Sequence, residues 1–203
     1  MATVSNRCVI VGSGPSAKGF IPPPGLKVIA VNGAIQWLPR ADYFFTLDHS
    51  RVNMLRLLKR RPGVEYHAAF PRSQWLKMQG IRFYDRVAED ASKSEPRIKH
   101  SPEWWLWRWG AKLGLSESKA VIHTGNSAYG ALGLAYHLGF TSAALIGVDG
   151  TRDRRIEGGH PMNLDHLPLL FASARPQIKV VSCGQLDGIP RMKFADWYRN
   201  TNS

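Results

Sequence analysis

The sequence predicts an α/β fold: a mainly parallel sheet with helices on both faces. Three observations carry that prediction. Short apolar runs alternate with segments of helical character along the chain. Polar, glycine-bearing residues gather where those runs end, the place where ligands bind in open α/β sheets. The 203 residues, 44% of them hydrophobic, are enough for one well-buried core and short for two. One domain is therefore expected across residues 1–203.

The first strand is predicted from Arg7 to Val11. It stops in Gly12-Ser13-Gly14-Pro15-Ser16, and the residues beyond are expected to open a helix. Backbone N–H groups bared at such a turn, with the positive end of a helix behind them, form a ready phosphate site. The turn lacks the third glycine of the dinucleotide fingerprint and the Lys-Ser/Thr that ends a P-loop. A plain tight turn between strand and helix is the lesser alternative reading, and the company of the other motifs is what raises the signal.

After Pro22-Pro23-Pro24-Gly25 comes a second strand, Lys27 to Val31, ending at Asn32-Gly33-Ala34. Tyr43 to Thr46 is a third strand, ending at Leu47-Asp48-His49. A basic helix follows from about Arg51 to Arg60, then a strand from Val64 to Ala68. Val121-Ile122 is a short apolar run ahead of a second polar turn, Thr124-Gly125-Asn126-Ser127-Ala128. That turn introduces a helix from Tyr129 to Leu138. Ala143 to Val148 is the next strand, ending at Asp149, and Ile178 to Val181 is the last. Two polar turns at the mouths of helices suggest one nucleotide held between them. The arrangement is Rossmann-like.

The middle of the chain differs. About residues 86–118 no strand is evident, and Glu103-Trp104-Trp105-Leu106-Trp107-Arg108-Trp109 marks a helical, tryptophan-rich insertion. It reads either as a lid offering rings to a base or a sugar, or as a small helical subcore. No internal repeat or low-complexity tract is present. The tail Asn200-Thr201-Asn202-Ser203 is expected to fray.

The formal charge of +12 is large for this length and attracts polyanions. Nucleic acid, an anionic membrane surface and an acidic small substrate all fit. Arg51, Arg56, Lys59, Arg60 and Arg61 fall in and after the basic helix, where a solvated face is the alternative. Arg152, Arg154 and Arg155 follow the strand ending at Asp149 and are the better phosphate candidates. No apolar run approaches the ~20 residues of a membrane span. No apolar segment of signal-peptide type precedes the first strand, so a cytoplasmic location is expected. Cys8 and Cys183 both lie in expected strands and read as buried thiols of a reducing compartment.

Val9-Ile10-Val11-Gly12-Ser13-Gly14-Pro15-Ser16, Ile29-Ala30-Val31-Asn32-Gly33-Ala34, Thr124-Gly125-Asn126-Ser127 and Leu145-Ile146-Gly147-Val148-Asp149 occur in an informative order. That order resembles bacterial sialyltransferases of the Campylobacter and Pasteurellaceae type. It also resembles a related set typified by archaeal 6-hydroxymethylpterin diphosphokinases. Gly158-Gly159-His160-Pro161 and the residues to Leu170 extend the likeness to the sialyltransferase segment bearing a catalytic histidine. The likeness covers about residues 7–50 and 120–190.

The resemblance implies that Ser13, Asn32, Thr124, Gly125 and Asn126 contact a donor nucleotide, and that His160 is the general base. A base near neutral pKa suits transfer to a hydroxyl, and turn amides or arginines suit the leaving phosphate. Where the sialyltransferases place two tyrosines, this chain has Gly150-Thr151-Arg152-Asp153-Arg154-Arg155. Asn32-Gly33-Ala34 and Thr46-Leu47-Asp48 look closer to the diphosphokinase-like set, which implies Asp48 and Asp149 as magnesium ligands. A helix cap is the alternative for Asp48. His123 and His166 are weaker candidates, and no spacing among the seven histidines makes a zinc site. No Gly-x-Ser-x-Gly elbow supports a hydrolase.

Three functions are expected from this reading. The first is metal-independent glycosyl transfer from a nucleotide-sugar substrate, with no tightly bound cofactor, to an acceptor such as DNA or a glycolipid. DNA glycosylation would suit a phage enzyme. The second is ATP- and magnesium-dependent diphosphokinase-like transfer. The third is non-enzymatic binding of nucleic acid by a degenerate nucleotide fold, which the charge and tryptophans suit. A homo-oligomer is compatible with each.

Overall fold

The computed structural model describes residues 6–75 and 77–200. The first five residues and the tail beyond Asn200 lie outside the described residues, as does most of the segment expected to fray. The described chain is built on one sheet of eight strands. These are β1 (Arg7–Val11), β2 (Lys27–Val31), β3 (Tyr43–Thr46), β4 (Glu65–Phe70), β5 (Ile81–Val87), β6 (Val121–His123), β7 (Ser142–Ile146) and β8 (Lys179–Ser182). Their order is β6-β5-β4-β3-β2-β1-β7-β8, and every pairing is parallel.

Strands buried on both faces read as continuous apolar runs rather than as alternations, and β1 shows why. Cys8 and Ile10 face a core that also holds Ile29, Phe45, Leu132 and Phe171. Val9 and Val11 face the opposite core, with Val28, Phe44, Leu57 and Trp197. α4 (Ser127–His137) and α5 (Leu167–Ser173) cover the first face, with Leu106 of α3 (Pro102–Arg108) packed at its margin. α1 (Ala34–Trp37), α2 (Arg51–Leu58) and α6 (Phe194–Arg199) cover the second. The two-faced α/β prediction therefore holds.

The chain runs outward from β1 to β6, then returns through α4, which packs across β6, β3, β2 and β1, to start β7 on the other side of β1. The strand order reverses between β1 and β7. A crevice opens at the carboxyl ends of strands at such a reversal, the usual ligand position in this architecture.

Some expectations need correction. The turn after β1 opens no α-helix; only a 3-10 turn, Pro15–Ala17, follows it. β5 lies where no strand was expected, because Ile81-Arg82-Phe83-Tyr84-Asp85-Arg86-Val87 places charges among its apolar residues. The insertion holds one seven-residue helix, α3, and otherwise turns. Its rings pack mainly on each other. Trp104 meets Trp105 edge-on at 4.7 Å, and Trp105 stacks on Trp109 at 5.8 Å. Trp104 and Trp107 spend their indole N–H groups on Glu95 and on the Lys93 carbonyl. The tryptophans form a half-buried aromatic cluster rather than a buried subcore, and Trp109 of that cluster also lines the crevice at the strand-order reversal.

Both cysteines are free; Cys8 is buried in β1 as expected, but Cys183 lies just past the end of β8 and is only half-buried. Burial drives the Cys8 thiol pKa up and pushes that of Cys183 up to about 11, so neither is a ready thiolate. Among the described residues, no helix is long and apolar enough to cross a membrane.

Candidate functional site

A cavity of about 380 Å³ lies at the strand-order reversal. Gly12 to Pro15 after β1, Asn32 after β2 and Asp48 after β3 form one side. Arg86 at the end of β5 and Thr124 to Ala128 at the start of α4 form another. Gly147 to Asp149 after β7, Thr151, Asp153, Arg155, Pro161 to Leu164, His166 and Leu167 close it, with Trp109 at its border. The two polar turns thus share one pocket.

The first turn is glycine-rich for a packing reason. A Cβ on Gly12 would lie 2.4 Å from the Gly147 carbonyl oxygen, and one on Gly14 2.4 Å from Asp149 Oδ2. Neither distance is tolerable for a side chain. The amides of Gly12 and Gly14 donate to the carbonyls of Ile146 and Gly147, each at 2.8 Å. Two turn amides are therefore committed to holding β1 against β7, and a three-residue 3-10 turn supplies little dipole. The turn is largely a clasp, although Gly12 to Pro15 also line the pocket.

Asp149 is the pin of that clasp. Its buried carboxylate accepts from the Ser16 amide at 3.0 Å and the Gln185 amide at 2.8 Å. Ser16 Oγ accepts in turn from the Gly147 amide, and Ser16 does not line the pocket. Gly33 does not line it either; the side chain of Glu157 lies against it. Asp48 is not the helix cap, which is Ser50; it buttresses that cap, accepting from the Ser50 amide and hydroxyl and from Asn53 Nδ2. Among the described residues no group of three or more His, Cys, Asp or Glu side chains is placed to hold a metal.

The second turn keeps more of its capacity. Asn126 caps α4 by accepting from the Ala128 amide at 2.8 Å, and Thr124 Oγ1 donates to the Gly110 carbonyl at 3.1 Å. Ser127 Oγ accepts from the Leu47 amide. With these side chains occupied in shaping the turn, the eleven-residue α4 presents its N-terminal end to the pocket. That end carries partial positive charge.

Four lining residues have a buried polar atom without a partner: Ser13 Oγ, Asn32 Oδ1, Thr151 Oγ1 and His166 Nδ1. Such atoms are expensive to leave unpaired, and a cluster around one pocket marks where a polar ligand would repay the cost. Asn32 adds local strain, with φ at 51°, a conformation asparagine tolerates better than most residues. His166 is 3% exposed and Ser13 8%.

The predicted cations divide. Arg155 lines the pocket; Arg152 and Arg154 are exposed and do not. Arg152 lies 3.9 Å from Asp165. Arg86, not foreseen, is the second lining cation, and it also donates to the Leu47 carbonyl. On α2 and its end, Arg56 bonds Asn53 and Gln36, Arg60 bonds the Gln79 carbonyl, and Arg61 bonds the carbonyls of Ile35, Leu38 and Pro39. Much of the predicted polyanion cluster thus holds neighbouring loops in place.

The two histidines of the return segment exchange prominence. His160 is exposed on the rim, its Nδ1 3.1 Å from the Arg152 carbonyl, and it does not line the pocket. His166 lines it. Its Nε2 sits 3.3 Å from the Gly125 carbonyl, and burial lowers its pKa, so the neutral ring is favoured at physiological pH. The missed signal was the apolar run Leu167 to Phe171, which makes His166 the residue that enters a helix beside the site.

No family model, curated protein or solved structure matches the chain.

Proposed function

We propose that the protein is a nucleotide-dependent transferase, and that the group transferred is a glycosyl unit from a nucleotide-sugar. The observation that carries this reading is that four residues lining one pocket at the strand-order reversal, Ser13, Asn32, Thr151 and His166, each hold a buried side-chain polar atom without a partner. Hydroxyl and amide groups suit a ribose and a base edge. Arg86, Arg155 and the start of α4 suit phosphate.

In this reading the bond between the sugar's anomeric carbon and the donor phosphate breaks. A bond to the acceptor oxygen forms, and the acceptor's proton passes to His166 Nδ1. The arginines and the α4 end neutralise the charge left on the nucleotide. The base role moves from His160 to His166 because only His166 lines the pocket. His160, outside the pocket lining, only contacts the Arg152 carbonyl of its own loop. The resemblance of the motif order to that of the sialyltransferases is in keeping with the same assignment of the nucleotide side.

The rivals have less support. Both oxygens of Asp48 and of Asp149 already accept hydrogen bonds, which weakens the magnesium-dependent diphosphokinase reading. The anchoring of Arg56, Arg60 and Arg61 likewise weakens a nucleic-acid groove on that face. The test is release of nucleotide from a panel of nucleotide-sugars, with and without chelator. Release by the native chain that persists in chelator and is lost in His166→Ala is the expected result. ATP cleavage that vanishes in chelator, with no turnover of any nucleotide-sugar, would reject the glycosyl reading.

A further inference from the structure

Helix α2 starts beside the pocket wall and turns an unusual face outward. Its eight residues bury Asn53 and Leu57. At about 100° per residue, Leu55 points directly away from that buried side. Val52 and Lys59 flank it on one side, Leu58 and Arg51 on the other. Val52 is 54% exposed, Leu55 46% and Leu58 63%. The side chains of Arg51 and Lys59 are exposed and make no hydrogen bond or ion pair among the described residues. The helix contains no acidic residue.

Three aliphatic side chains between two free cations, on a protein of formal charge +12, form a specific combination. We propose that the outward face of α2 docks on an anionic lipid surface. Leu55, Val52 and Leu58 enter the boundary between headgroups and acyl chains, and Arg51 and Lys59 meet lipid phosphates. A nucleic acid would use the two cations and leave the three aliphatics against water. A second copy docked face to face would set Arg51 and Lys59 against like charges. An anionic bilayer satisfies both halves of the face.

This surface stands independently of the nucleotide reading but bears on it. Asp48 of the pocket wall lies two residues before Ser50, the cap of α2. A helix of this length spans about 12 Å, so docking would hold the pocket close to the bilayer and within reach of a lipid-borne acceptor.

The test is sedimentation of the full chain with phosphatidylcholine vesicles and with vesicles also containing phosphatidylglycerol. The native chain is expected to sediment with the anionic vesicles only. Leu55→Glu, at an exposed position, should abolish this without changing the unfolding temperature. Arg51→Gln and Lys59→Gln should each weaken partition about fivefold, the value of roughly one cation at the surface. Equal sedimentation with neutral and anionic vesicles, or with neither, would overturn the proposal. So would undiminished binding by Leu55→Glu. Binding to DNA that is unaffected by Leu55→Glu, together with no vesicle binding, would assign the cations to nucleic acid instead.

Discussion

His166 Nε2 lies 3.3 Å from the carbonyl oxygen of Gly125, and that contact fixes the imidazole tautomer. A carbonyl can only accept, so Nε2 carries the hydrogen and Nδ1 keeps its lone pair. Nδ1 is buried and has no other partner. The carbonyl is itself held by packing: Gly125 has φ at 150°, and a Cβ there would lie 2.6 Å from Leu170 Cδ2. A neutral ring with an unpartnered lone pair, on a residue that lines the pocket, is the form a general base requires.

The first prediction follows from that pair. His166→Ala should lower turnover about 10²–10⁴-fold, the usual value of a positioned base, while nucleotide affinity falls far less. His160→Ala should keep most of the activity. Because burial lowers the pKa of His166, the acid limb of the turnover profile should fall below the ordinary histidine value of about 6.5. A steeper loss in His160→Ala than in His166→Ala would return the base role to the rim.

The second prediction concerns the clasp. Asp149 accepts two backbone amides, and asparagine offers only one oxygen for them. Asp149→Asn should therefore cost about 1–3 kcal/mol of stability. Gly14→Ala, whose Cβ would meet Asp149 Oδ2 at 2.4 Å, should cost about 1–3 kcal/mol through overpacking. Denaturant unfolding without ligand measures both. Destabilisation that appears only when nucleotide is present would show that these positions serve the ligand rather than the fold.

Much of this was legible in the chain, for identifiable reasons. Val9-Ile10-Val11 and Ala143-Ala144-Leu145-Ile146 are buried on both faces, so their apolar runs announce central strands. β5 sits one strand from the sheet edge and exposes Arg82 and Arg86, which hides it as polar sequence. That omission concealed Arg86 as a pocket residue. Gly12 and Gly14 were visible, but composition does not distinguish a glycine that admits phosphate from one that admits a neighbouring strand. Only the position of Gly147 and Asp149 against them separates the two. His166 was obscured because its helix is short and begins with Leu167-Pro168.

The third prediction is a pH dependence of stability set away from the pocket. His67 is 1% exposed, its Nδ1 is 3.1 Å from Tyr84 Oη, and burial lowers its pKa to about 4. In the unfolded chain it titrates near 6.5. As pH falls below 6.5 the unfolded state takes up the proton first, so stability declines until about pH 4 and then stops declining from this cause. The full effect is of the order of 3 kcal/mol. His123 and His166, also lowered by burial, act in the same direction. His67→Gln should flatten the dependence; an unchanged slope in that variant would refute the assignment.

The fourth prediction separates the cations. Arg86→Ala and Arg155→Ala should weaken a nucleoside diphosphate about tenfold or more each, as loss of a charge-assisted bond does. Arg152→Ala and Arg154→Ala, outside the pocket lining, should leave affinity nearly unchanged. Calorimetric titration of the four variants gives the ranking, and the reverse order would move the phosphate site to the outer loop.

The most direct test of the central claim is thermal unfolding of the full chain against nucleoside mono- and diphosphates and nucleotide-sugars. The pocket bounded by Ser13, Asn32, Arg155 and the start of α4 is predicted to bind at least one of them. At 100 times its dissociation constant that ligand should add about 2.7 kcal/mol of stability, and the gain should shrink in Arg155→Ala. A native chain that none of these compounds stabilises would contradict the account.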